Sequence, residues 1–113
     1  MKTDWFEIRM NVAGDINMNL VVGHELSQHF FAHFNEGSRR WILTHKQTGC
    51  SVWAFRYLKD ARKAARLFEN ATNRRGGKLN WDKMHADSTA KLTRKVGRNF
   101  ISRTFGDLKG EGY

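Results

Sequence analysis

Proline is absent from the chain, and cysteine occurs once, as Cys50. Without proline, glycine and asparagine are left to mark every boundary between elements. A lone cysteine excludes an internal disulfide and fits a reducing cytosol. No apolar run approaches the roughly 20 residues of a membrane-spanning helix. The first residues, MKTDWFEIRM, reach acidic and polar side chains at once, unlike a signal peptide. There is no internal repeat, low-complexity tract or linker, and 113 residues suffice for one core but not two. The expectation is a single domain over 1–113, cytoplasmic (in a host cytoplasm if phage-encoded).

Acidic residues are also scarce: eleven Asp and Glu stand against twenty Lys and Arg, a net charge of +9. Residues 1–55 carry five of each sign, so the whole excess sits in 56–113, with fifteen cations and six anions. Solubility does not require such segregation. It points to a phosphate-bearing or acidic partner.

What is present is periodic. In WFEIRMNV, Phe6, Ile8, Met10 and Val12 alternate with polar residues, as in a half-buried strand. After the turn AGD, Ile16, Met18, Leu20 and Val22 repeat the period, which predicts a hairpin. GHELSQHFFAHFNEGS fits a strand through Phe30, Ala32 and Phe34 or a helix through Leu26, Phe30 and Phe34. The strand is preferred because aromatics cluster and Asn35–Ser38 supplies a turn. RRWILTH and SVWAFRY then pair around KQTGC, with Trp53, Phe55 and Tyr57 on one face of the second strand and Val52 and Ala54 on the other, so both faces of that strand are expected to be covered.

From Leu58 the period becomes helical. Leu58, Ala61, Ala65 and Phe68 form one stripe, and Lys59, Arg62, Lys63 and Arg66 lie opposite. The helix is expected to end at NRRGG. A second helix over STAKLTRKVGRNFISRTF aligns Leu92, Val96 and Phe100. The fold predicted is α+β: an antiparallel meander of four or five strands (1–57), then two helices packed on one face (58–105) and a frayed tail (106–113).

Little in the sequence suggests chemistry. HELSQH places its second histidine one residue too late for the zinc-binding HExxH spacing. On a strand, His29 and His33 would lie roughly 13 Å apart, too far for one ion. His24, His29, His33, His45 and Cys50 lack the close pairs typical of zinc sites, so no metal and no cofactor is expected. The imidazoles are expected to titrate near about 6.5. His45 and Cys50 sit at opposite ends of a tight turn with no carboxamide or carboxylate placed to orient the histidine. Asp82 and Asp87 near His85 match no two-metal spacing. NRRGGK lacks the spacing of a phosphate-binding P-loop. The protein is expected not to be an enzyme.

Binding remains. Arg74, Arg75 and Lys78 lie on one loop, Lys91, Arg94, Lys95 and Arg98 at helical spacing, and Arg62, Lys63 and Arg66 extend the surface if the helices lie side by side. Residues 39–72, about a third of the chain, resemble the AP2-type domain and the N-terminal arm-binding domain of tyrosine integrases. The matching residues are Trp41, Trp53, Phe55 and the Ala61–Ala64–Ala65–Phe68 helix. The spacing to the alanines differs by about a residue, and the two N-terminal strands are extra. The resemblance implies that a three-stranded sheet lies in the DNA major groove with the helix behind it. Arg39, Arg40, Lys46 and Arg56 would then face the nucleic acid, with Trp53 or Tyr57 stacking on a base. That surface and the basic last helix compete as the primary contact. WILTHKQTG is also similar to small accessory proteins of phages and mobile elements, anti-CRISPR proteins included. The leading expectation is a non-enzymatic nucleic-acid-binding protein, DNA rather than RNA, using basic helices and a sheet with exposed aromatics. The alternative is a phage-type inhibitor that binds an acidic or nucleoprotein host complex. No membrane partner is expected, and a homodimer is left open.

Overall fold

The computed structural model describes residues 2–12, 14–71, 76–77, 79–83 and 110–112. Its elements are β1 (Lys2–Val12), β2 (Asp15–Glu25), β3 (Phe30–Asn35), β4 (Arg40–His45), β5 (Ser51–Phe55), α1 (Leu58–Glu69), one 3-10 turn (Trp81–Lys83) and β6 (Gly110–Gly112). The strands form one antiparallel sheet in the order β1-β2-β3-β4-β5-β6. The meander and the α+β class follow the expectation, and β6 is additional. Residues 110–112, read as part of a frayed tail, pair with β5 from Trp53↔Gly112 to Phe55↔Gly110. The second helix, over 88–105, lies outside the described residues. Among those described, no helix is long and apolar enough to cross a membrane.

The core forms where α1 lies on the sheet. Pairing sets Phe30 against His45, Ala32 against Leu43, Leu43 against Trp53 and Trp41 against Phe55, so these residues share one face. Alternation then puts Phe31, His33, Ile42, Thr44 and Ala54 on the other. Ala61, Ala64, Ala65 and Phe68 of α1 are buried in the same cluster as Phe30, Leu43 and Trp53. Three alanines keep the helix backbone close to the large sheet residues. Trp81 enters the cluster from the 3-10 turn, its ring 4.9 Å from Phe30 and edge-on. Between Leu43↔Trp53 and Thr44↔Ser51 the register shifts by one, leaving Val52 as a bulge whose side chain also joins the core. Both faces of β5 are buried, as expected. The helix ends at Glu69, with the Asn70 amide donating to the Arg66 carbonyl, earlier than the expected NRRGG.

The first hairpin departs from the half-buried reading. Its register runs from Lys2↔Glu25 to Val12↔Asp15, so paired residue numbers sum to an odd value. Phe6, Ile8 and Met10 therefore lie on one face, and Ile16, Met18, Leu20 and Val22 lie on the other with Trp5. The second row is exposed.

Only His24 and Glu25 of β2 pair with β3. In a flat sheet Arg9, opposite Met18 and six residues from His24, would sit roughly 20 Å along the strand, toward the β3–β4 turn. Instead the Arg9 amide donates to the Gly49 carbonyl at 2.8 Å, beyond the opposite end of β4. The hairpin therefore bends back across the sheet face that α1 leaves uncovered, where Phe6 stacks on Phe31 at 4.3 Å and 9°. Gly23 permits the bend: a Cβ there would lie 2.9 Å from the Phe31 ring, 3.0 Å from the Ala32 carbonyl and 3.1 Å from Phe6. Gly49 is constrained twice, by φ of 70° and by the Arg9 amide 2.9 Å from where its Cβ would be. Gly23→Ala is expected to cost about 1–3 kcal/mol, because the nearest atoms include backbone and a stacked ring. Urea denaturation should show a lower midpoint; an unchanged midpoint would mean that the hairpin does not bend there.

Candidate nucleic-acid interface

The outer face of α1 follows from the helical period. With alanines and Phe68 turned inward, Lys59, Arg62, Lys63 and Arg66 point to solvent at spacings of three and four. Lys59, Arg62 and Arg66 make no ion pair with a described residue. Arg56 and Tyr57 precede the helix and are exposed, and the Lys59 ammonium lies 5.5 Å from the Tyr57 ring centroid, a cation–π contact. Trp41↔Phe55 is the last pair of the β4–β5 ladder, so Arg40 and Arg56 flank it at one end of the sheet. Arg39 stands beside them on the β3–β4 turn, exposed and with φ of 56°, its amide bonded to the Asn35 carbonyl at 2.7 Å. A cationic end thus leads into a cationic helix face.

Two expectations are corrected. Trp53 is buried, 9% exposed, because its pairing with Leu43 turns it toward α1; it cannot stack on a base. Phe30 and Phe55 are buried likewise, so the sheet does not present these aromatics. Nor does the face opposite α1 offer a reading surface, since Phe31, Ile42, Thr44 and Ala54 on it are all buried. Lys46 lies at the far end of β4 from Arg40 and binds Glu25 at 2.7 Å, an ion pair that holds the Glu25 carboxyl below its usual range. Arg74, Arg75, Lys78, Lys91, Arg94, Lys95 and Arg98 lie outside the described residues. Arg39, Arg40, Arg56, Arg62 and Arg66 are the expected site residues that reach the described surface.

Spacing in the sequence did not reveal a polar cluster at the other end. His29 precedes β3 rather than lying in it. Its Nδ1 is 2.6 Å from Glu69 Oε1 and its Nε2 3.0 Å from Asp82 Oδ1, while its amide donates to Glu69 Oε2 at 3.1 Å. Carboxylates only accept, so both ring nitrogens donate together only in the imidazolium. The cluster ties the β2–β3 connection to the end of α1 and to the 3-10 turn. With both nitrogens occupied, no lone pair is left to take a proton from a substrate. Its partners are 40 and 53 residues away along the chain, and no local signal could have found them.

His45 is buried beside this cluster, and burial favours its neutral form. A carbonyl accepts only, so Nε2–H donates to Trp81 O at 2.9 Å, and in the neutral ring Nδ1 accepts from the Thr48 hydroxyl at 2.8 Å. That engages the nitrogens a Cys50 nucleophile would need. Among the described residues, no three His, Cys, Asp or Glu converge as metal ligands.

The histidines do not titrate alike. Burial pulls His29 down, but hydrogen bonds to Glu69 and Asp82 outweigh it and the pKa is raised above 6.5. Burial lowers His33 and His45, the Trp81 carbonyl opposing in the latter. A raised pKa stabilises the fold fully below the unfolded value of about 6.5, and that stability is lost as pH rises through the folded value. His33 and His45 run oppositely, losing their contribution as pH falls below about 6.5. His29→Gln is therefore expected to destabilise by about 1–3 kcal/mol at pH 5.5 and by less at pH 8.5. Denaturation of both proteins at the two pH values reads this; an equal loss at both would exclude the imidazolium.

Comparison with protein-family models, curated proteins and solved structures gave no match.

Proposed function

We propose that the protein binds nucleic acid without catalysing a reaction, and that the outer face of α1 is its primary described contact. The observation that carries this reading is the uninterrupted row Lys59, Arg62, Lys63 and Arg66, with Arg56 and Tyr57 at its start. Lys59 to Arg66 spans about 10 Å of helix. Over that length duplex DNA carries about six phosphates, one per about 1.7 Å of axis counting both strands, enough for all four cations. Long flexible cations suit phosphates, which position a protein without reading bases. Arg39 and Arg40 extend the contact at the sheet's end, and the excess of cations in 84–109 adds to the long-range attraction. DNA is the expected ligand, with Tyr57 as the aromatic available for stacking.

The same cations would serve an inhibitor that meets carboxylates on a host nucleoprotein complex, with exposed Tyr57 as an anchor. Mobility-shift titrations with duplex DNA, single-stranded DNA and RNA at low salt, beside a pull-down from nuclease-treated lysate, separate the two. The proposal expects a shift and no stoichiometric protein partner. Absence of any shift at low salt ends it.

A further inference from the structure

Among the described residues, the hairpin's outer face holds most of the exposed large apolar side chains. Trp5, Ile16, Met18, Leu20 and Val22 are 64%, 57%, 47%, 62% and 52% exposed. Together they form a patch on the order of 500 Å², toward the upper end for a monomer. Buried on both copies, that patch would remove about 1,000 Å² from solvent, the lower end of a specific interface.

Its charge pattern identifies the occupant. The charged side chains on the hairpin's outer face are Glu7, opposite Leu20, and Arg9, opposite Met18; neither is ion-paired among the described residues. One charge of each sign makes the patch neutral, unsuited to a polyanion. The row Ile16, Met18, Leu20, Val22 is centred on Asn19, and the pair Glu7, Arg9 is centred on Ile8. Asn19 and Ile8 are cross-strand partners. A two-fold axis through that pair, in the plane between two stacked hairpins and perpendicular to their strands, maps the surface onto itself. Met18 then meets Leu20 of the other copy, Ile16 meets Val22, and Glu7 meets Arg9 twice. An isologous dimer needs this self-complementarity, and a chance apolar patch has no reason to possess it. The edge of β1 is less available for pairing, because the Arg9 amide already bonds Gly49. We infer that a second copy of this chain docks face to face on the outer face of the β1–β2 hairpin, sheets about 10 Å apart.

The inference stands apart from nucleic-acid binding and is tested on nuclease-treated protein. Sedimentation should give a dimer in the high micromolar range. Leu20→Asp, at a solvent-facing position, should give a monomer with an unchanged far-ultraviolet circular dichroism spectrum. Glu7→Arg alone and Arg9→Glu alone should each weaken the dimer at least about tenfold by setting like charges together. The double exchange Glu7→Arg/Arg9→Glu should restore it, which a merely misfolded variant would not do. A monomeric wild type, a dimer indifferent to Leu20→Asp, or a double exchange without recovery would each overturn the inference.

Discussion

Replacing Lys59, Arg62, Lys63 and Arg66 together with alanine is expected to lower affinity for duplex DNA by roughly several hundredfold at about 0.15 M salt, if α1 is the proposed contact. The magnitude follows from counterion release: each lost phosphate contact is worth about fivefold at that ionic strength, and four are removed. The fold should survive, because all four face solvent and alanine is the best helix former. Thermal denaturation of the variant is the control. The loss should be uniform across sequences, since these side chains address phosphates. Arg39, Arg40 and Arg56 changed together should cost less, as three cations at the end of the row rather than four along it. Undiminished affinity in the four-alanine protein would remove α1 from the interface.

Trp81→Ala is expected to be the most damaging single substitution, by about 3–5 kcal/mol. The side chain is almost fully buried and its ring lies against Phe30, His45 and Phe68, at 4.9, 5.5 and 6.1 Å. Its indole N–H donates to the Phe68 carbonyl at 2.9 Å, near the end of α1. Truncation leaves a large apolar cavity and takes away one of the two donors to the Phe68 carbonyl, which keeps the Ala71 amide at 3.2 Å. For a domain of this size the melting temperature should fall by more than about 10 °C. Trp81→Phe keeps most of the ring and loses the N–H, so about 1–2 kcal/mol is expected. If alanine there left melting within a few degrees of wild type, the 3-10 turn would not belong to the core.

Local periodicity made α1 and the strand order legible. The alternation of alanine and arginine in 58–69 already separated a buried stripe from a cationic one, because a helix converts spacing directly into faces. Trp53 and Phe55 were placed on one face correctly, but alternation does not say which face a later helix will cover. That choice, made by the packing of α1, turned Trp53, an expected base-stacking residue, into core and left Tyr57 exposed. The first hairpin failed for a different reason. Both strands alternate on even numbers, and a turn that pairs Val12 with Asp15 sends two even-numbered rows to opposite faces. Apolar patterning alone could not set that register. The bend at Gly23, β6, and the His29–Glu69–Asp82 cluster depend on contacts between residues far apart in sequence, where no periodicity operates.

The slope of log affinity against log salt for duplex DNA, measured on wild type and on the four-alanine protein, bears most directly on a phosphate-contacting α1. Each phosphate contact contributes about −0.9 to that slope. The wild type should fall at least as steeply as about −3.6, and the variant should be shallower by about the same amount. A wild-type slope near zero, or equal slopes for the two proteins, would contradict it.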